Sequence, residues 1–232
     1  FQDFLQARLK EEHPLQVNPI LHRLAEVYEQ RGEWEKAHHV YEQLGDFETL
    51  AGLIVRAGAP FLQGGRLITL SNWLENLPVS LSQGRPDLLS LQGTVAYMRG
   101  ELQLGLSLLG QAEAAFRAQG DSSQLALTLA RRAIAHRYLG NYNASLADAD
   151  EALRLTEGDS DLRDIYADAQ RAKGLSLYRL GQAKQAVEWL ERAFAIYTDM
   201  KELHAIPVLL MELGMAYRAV GNYDTAKASY EK

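Results

Sequence analysis

Cysteine is missing altogether from the 232 residues, which removes disulfide bonds, thiol nucleophiles and cysteine-ligated zinc from consideration. No apolar run approaches the roughly eighteen residues that a membrane span needs, and the opening FQDFLQARLK lacks the apolar core of a signal peptide. The chain is therefore expected to be cytoplasmic, without membrane contact. An excess of positive charge is lacking too, since 24 Lys and Arg stand against 30 Asp and Glu for a net charge of -6. Nucleic-acid surfaces need clustered cations to displace counterions, so no direct nucleic-acid binding by this segment is expected.

Catalytic signatures are absent as well: there is no GxxxxGK, GxGxxG, HExxH or GxSxG. Ser229 and Lys232 form an SxxK without the companion motifs that its chemistry requires. The histidines His13, His22, His38, His39, His136 and His204 are scattered, and neighbours such as His38 and His39 project about 100° apart on a helix, too far to share a metal. His136 is expected to be a satisfied core histidine. Asp148, Asp150 and Glu151 read as a solvated helix face, because nothing in the pattern buries them as a paired acid and base must be. No enzyme activity, cofactor or metal is expected. Asn143-Ala-Ser145 spells a glycosylation sequon in a chain with no export signal.

What the chain does contain is one phrase written three times: ARRAIAHRYLGNYNASLADADEAL, AQRAKGLSLYRLGQAKQAVEWLERAF and LMELGMAYRAVGNYDTAKASYEK. In each, a small residue (Ala133, Gly174, Gly214) stands seven places before a glycine (Gly140, Gly181, Gly221). A helical hairpin cannot bury its apolar face alone, so a repeat at this period implies stacked hairpins. The glycine falls where a chain leaving a helix adopts positive φ, which glycine does without a Cβ penalty. Gly174 and Gly214 should let the two helices of a hairpin come close, with Leu190 and Tyr230 filling the space between hairpins. The turn glycines run Gly32, Gly64 or Gly65, Gly100, Gly140, Gly181 and Gly221, which makes six hairpins.

Three places depart from the repeat. Residues 1–12 place Phe1, Phe4, Leu5 and Leu9 at helical spacing ahead of His13-Pro14, with no cap before them. Pro60 sits where a helix should run and predicts a kink or a break. Residues 76–86, NLPVSLSQGRP, read as a loop. The expected organisation is an N-terminal helical arm of degenerate repeats over 1–78, a connecting loop over 79–87 and a repeat array over 88–232 that stops inside its last hairpin.

With Ala25, Tyr28, Gly32, Trp34, Ala37 and Tyr41 in one copy and Ala152, Ala193, Leu213, Tyr217 and Tyr230 in the others, the pattern resembles the tetratricopeptide repeat. That resemblance implies an all-α fold, a right-handed superhelix of helical hairpins (an α-solenoid). It places the residues two and three before each turn glycine on the concave side: Tyr97 and Met98, Arg137 and Tyr138, Tyr178 and Arg179, Arg218 and Ala219, with Arg171, Leu175, Met211 and Met215 one or two turns earlier. The groove residues so implied are Tyr97, Arg137, Tyr138, Arg171, Tyr178, Arg179, Met211 and Arg218. Arginine forks bind carboxylate or phosphate, and tyrosine offers a flat apolar body, so the stripe suits an anionic, sugar-like or peptide ligand. Alternatively each arginine pairs with an acidic residue of the next repeat. The carboxylate clamp known in this fold needs an asparagine where this chain has Thr94, Ile134, Leu175 and Met215.

The succession FLQARL, LHRLAEVYEQRGEWEKA, LGDFETLAGLI, GGRLITLSNWLENLP and RPDLLSLQG resembles the region after the ATPase module in MalT-like transcriptional regulators of the LuxR type, signal-transduction ATPases with numerous domains. The resemblance implies a sensor segment whose partners are an effector ligand, protein or peptide on the concave face and the remaining domains of its own polypeptide. The other reading is a free-standing scaffold that holds proteins together.

Overall fold

The structure, a computed structural model, describes residues 14–231. The expected opening helix with Phe1, Phe4, Leu5 and Leu9, and Lys232 of the SxxK, lie outside the described residues. Thirteen α-helices and one 3-10 turn, with no strand, make up the described chain. It divides into two compact units, with the chain boundary between Leu88 and Leu89.

The first unit contains α1 (Pro14–Gln30), α2 (Trp34–Leu44), α3 (Phe47–Gln63), α4 (Leu67–Glu75) and the short α5 (Val79–Gly84). Its core is Ala25, Ala37, Tyr41, Leu50, Leu53, Ile54, Phe61 and Leu70, each almost wholly buried. His38 of α2 stacks on Trp73 of α4 with ring centroids 4.2 Å apart, whereas its neighbour His39 turns away to Gln43. Two expectations are corrected here. Helix α3 runs through Pro60 without the expected break; the proline lies in the last turn with its side chain exposed, so little helix follows the one backbone bond it cannot donate. The stretch read as a loop carries α5, whose start is set by Pro78 in extended conformation.

The second unit is built from α6 (Pro86–Met98, its first turn in the first unit), α7 (Leu102–Gln119), α8 (Ser122–Tyr138), α9 (Tyr142–Thr156), α10 (Arg163–Arg179), α11 (Ala183–Met200), α12 (Ala205–Ala219) and α13 (Tyr223–Tyr230). These pair as α6/α7, α8/α9, α10/α11 and α12/α13, and with α1/α2 and α3/α4 they give the six hairpins that the glycines mark. Each turn glycine has positive φ, from 69° at Gly32 to 87° at Gly100, and Gly65 rather than Gly64 serves the second hairpin with φ 70°. Asp46, Asp121 and Asn222 cap α3, α8 and α13 by accepting backbone N–H bonds from Thr49, Gln124 and Thr225.

Close helix approach is achieved as the small-residue pattern implies. A Cβ on Gly174 of α10 would lie 2.8 Å from Leu190 Cγ of α11, and one on Gly214 of α12 would meet the Tyr230 ring of α13. Leu190 and Tyr230 therefore fill space inside their own hairpins, and Leu190 also joins Leu209 and Leu213 of the next hairpin in one cluster, as expected between hairpins. Stacking between hairpins comes from clusters such as Phe116, Leu125, Leu129, Leu153, Ile165 and Ala169, drawn from α7 to α10.

Candidate ligand-binding site

The first helices of three successive hairpins, α6, α8 and α10, line one cavity of about 180 Å³. α6 contributes Tyr97 and Met98, α8 contributes Ile134, Arg137 and Tyr138, and α10 contributes Asp168, Arg171, Ala172 and Leu175. The α10 residues stand at i, i+3, i+4 and i+7, one stripe of a helix. Repetition of the hairpin then brings the equivalent stripes of α6 and α8 alongside.

Charge in this site is unevenly compensated. Arg171 donates from Nε to Glu212 Oε2 at 2.7 Å and from Nη2 to Oε1 at 2.6 Å, a bidentate fork onto α12. Burial pulls the Arg171 pKa down, but the Glu212 bonds and charge more than reverse this and hold it above the usual arginine range. Tyr197 Oη of α11 donates to Asp168 Oδ1. Burial raises the Asp168 pKa, against the opposing pull of the Tyr197 bond and the Arg171 charge. Arg131 of α8 donates to Ser90 Oγ at 3.0 Å, Ser90 also accepts from Thr128, and burial lowers the Arg131 pKa while Tyr97 and Asp168 oppose that fall.

Arg137 is different. Its guanidinium lies over the Tyr138 ring, 4.6 Å from the centroid, and its Nε is buried with no hydrogen-bond partner. Among the described residues no carboxylate forms an ion pair with it. Tyr138 is 58% exposed and tilts toward Tyr97 at 6.1 Å. Tyr97 is buried, which pushes its pKa up to about 12.

Of the residues implied from the sequence, Tyr97, Arg137, Tyr138 and Arg171 thus share one cavity, and Tyr178, Arg179, Met211 and Arg218 lie outside its lining. Tyr178 packs on the cluster around Leu175, Leu190 and Leu213. Arg179 and Arg218 are exposed at the ends of α10 and α12, and Met211 is 50% exposed on α12. Asp168, Arg131, Glu212 and Tyr197 were not singled out from the sequence; the stripe spacing from Leu175 back to Asp168 was the available signal for the first of them. Pairing with the next repeat's acidic residue occurs at Arg171 and not at Arg137.

Elsewhere, two readings are corrected. Asp148 is buried and takes two 2.8 Å bonds from Arg132, so it is not part of a solvated face; Asp150 is exposed as expected, and it and Glu151 pair with Lys173 and Arg117 of neighbouring helices. His136 Nε2 is 3.8 Å from Asp148, but its buried Nδ1 has no partner, so this histidine is not fully satisfied. No helix among the described residues is long and apolar enough to cross a membrane, and no metal-binding group of His, Asp and Glu occurs among them.

Family models for the tetratricopeptide repeat match residues 20–44 and 208–232. Those two segments read as tetratricopeptide repeats. The fold of the chain is that of solved all-α repeat structures. It resembles a signal-transduction ATPase with numerous domains and a tetratricopeptide repeat sensor from Pyrococcus horikoshii (TM-score 0.65, 15% identity, 96% of this chain and 37% of that one). It also resembles BtubC from P. vanneervenii (TM-score 0.56, 18% identity, 97% and 83%) and a tetratricopeptide repeat protein from Parabacteroides merdae (TM-score 0.57, 15% identity, 93% and 78%). No curated protein matches the chain in sequence.

Proposed function

We propose that this chain is a non-catalytic sensing segment of a larger cytoplasmic regulator of the MalT-like, LuxR type, which binds an effector on the concave face of its repeats and thereby controls ATPase and DNA-binding parts of the same polypeptide. The observation that carries this reading is the convergence of Tyr97, Arg137, Tyr138 and Arg171 from three consecutive first helices on one cavity. A ligand held there touches α6, α8 and α10 together, so its affinity depends on how the hairpins are stacked. Differential affinity for two stacking arrangements is what an effector needs to shift an equilibrium between them. The P. horikoshii protein, whose repeats are described as a sensor, supports the same reading.

The second reading, a scaffold for other proteins, draws on the exposed apolar side chains Leu203, Val208 and Met211 at and before α12. Reading the coding DNA on both sides of this segment decides between them. A phosphate-loop ATPase upstream and a helix-turn-helix downstream are expected. Start and stop codons close to the two ends would overturn the regulator and leave the scaffold.

A further inference from the structure

We infer that the cavity between α6, α8 and α10 takes a small organic monoanion with an apolar or aromatic body, its anionic head on Arg137. This rests on the sensing reading and names the ligand class that the reading leaves open.

Three observations carry it. The first is charge. Arg171 is neutralised by Glu212, and Asp168 lies in the combined field of Arg131 and Arg171. Of the two arginines in the lining, Arg137 alone has neither a carboxylate partner nor a hydrogen-bond partner for its buried Nε among the described residues. The Arg137 charge is thus left without a compensating carboxylate among the described residues, and an anionic head on the terminal N–H groups of its guanidinium gains charge-assisted hydrogen bonds.

The second is the wall. Met98, Ile134, Ala172 and Leu175 are apolar, and Tyr97 and Tyr138 give aromatic surface beside Arg137. Of the polar side chains in the lining, Arg171 and Asp168 are already engaged by Glu212 and Tyr197, which leaves Arg137 and the two tyrosine hydroxyls for a ligand. A planar or branched hydrocarbon body finds contact on several sides.

The third is size. At about 180 Å³ the cavity is smaller than the roughly 300–1,000 Å³ of drug-sized sites. It therefore suits a ligand smaller than a drug-sized molecule. One head group and one ring or branched chain meet that limit.

Isothermal titration of the 232-residue chain with 3-phenylpropionate, with 3-phenylpropan-1-ol and with inorganic phosphate tests this. The carboxylate should bind, with the neutral alcohol and the bodiless phosphate at least about tenfold weaker, since a charged hydrogen bond is worth about 1.5–3 kcal/mol. Arg137→Gln should weaken 3-phenylpropionate by at least about tenfold. Tyr138→Ala, at an exposed position where folding is not at risk, should also weaken it, and Arg179→Gln should not. Equal binding of the alcohol, equal binding of phosphate, an unchanged Arg137→Gln or no binding by any probe would each overturn the ligand class. An ATPase encoded upstream would, in any of those cases, leave the sensing reading standing.

Discussion

Arg171 on α10 grips Glu212 on α12 with two hydrogen bonds of 2.7 and 2.6 Å across 41 residues of sequence. The fork joins the first helices of two hairpins past the intervening α11. It also explains why Arg171, though it borders the cavity, is not its free cation.

Because Glu212 is buried and Arg171 mostly so, removing one partner strands the other. Glu212→Ala should cost about 3 kcal/mol, the low end for a broken buried pair because Arg171 keeps some solvent access. Replacing both, as Arg171→Met with Glu212→Leu, should restore most of that loss. Urea denaturation of the single and double variants checks this; a double variant no more stable than Glu212→Ala would contradict it.

Two glycines on different helices should respond to alanine with opposite sign. Gly174 faces Leu190 at 2.8 Å from an added Cβ, so Gly174→Ala overpacks the α10/α11 hairpin and should cost about 1–3 kcal/mol. Nothing lies within 4 Å of a Cβ on Gly110 of α7, so Gly110→Ala should gain up to about 1 kcal/mol from helix propensity. Thermal melts of both variants give the two signs directly.

His38 makes the first unit sensitive to pH. Burial lowers its pKa from 6.5, against a smaller opposing effect of the Glu42 charge, with His39 adding to the fall. A histidine whose folded pKa is depressed contributes stability above the unfolded value and loses it as pH falls through the folded one. Relative to His38→Phe, which keeps a ring on Trp73, the wild type should therefore lose stability as pH falls below the unfolded value of about 6.5. Urea midpoints read by tryptophan fluorescence measure it, and a gap that does not change with pH would contradict the assignment.

The hairpin count and the turns were legible because each turn demands positive φ, and glycine meets that demand at Gly32, Gly100, Gly140, Gly181 and Gly221. The ambiguity at Gly64 and Gly65 was resolved by backbone geometry alone, φ being −79° at the first and 70° at the second. Pro60 misled because only a last partial turn, ending at Gln63, follows it, and local sequence does not show where that helix stops. The cavity's Tyr97, Arg137 and Tyr138 could be read from their place before a turn glycine. Asp168, Arg131 and Glu212 could not be assigned, because their partners lie on other helices and sequence spacing does not say which fork closes on which carboxylate. For the same reason Asp148, bound by Arg132, looked like one more surface acid.

Methyl-selective NMR of the 232-residue chain titrated with 3-phenylpropionate most directly tests whether the face shared by α6, α8 and α10 is the ligand site. Binding there predicts shifts at Met98, Ile134, Ala172 and Leu175, with Leu203, Val208 and Met211 unmoved. Shifts confined to Leu203, Val208 and Met211, or none at Ile134 and Leu175, would contradict it.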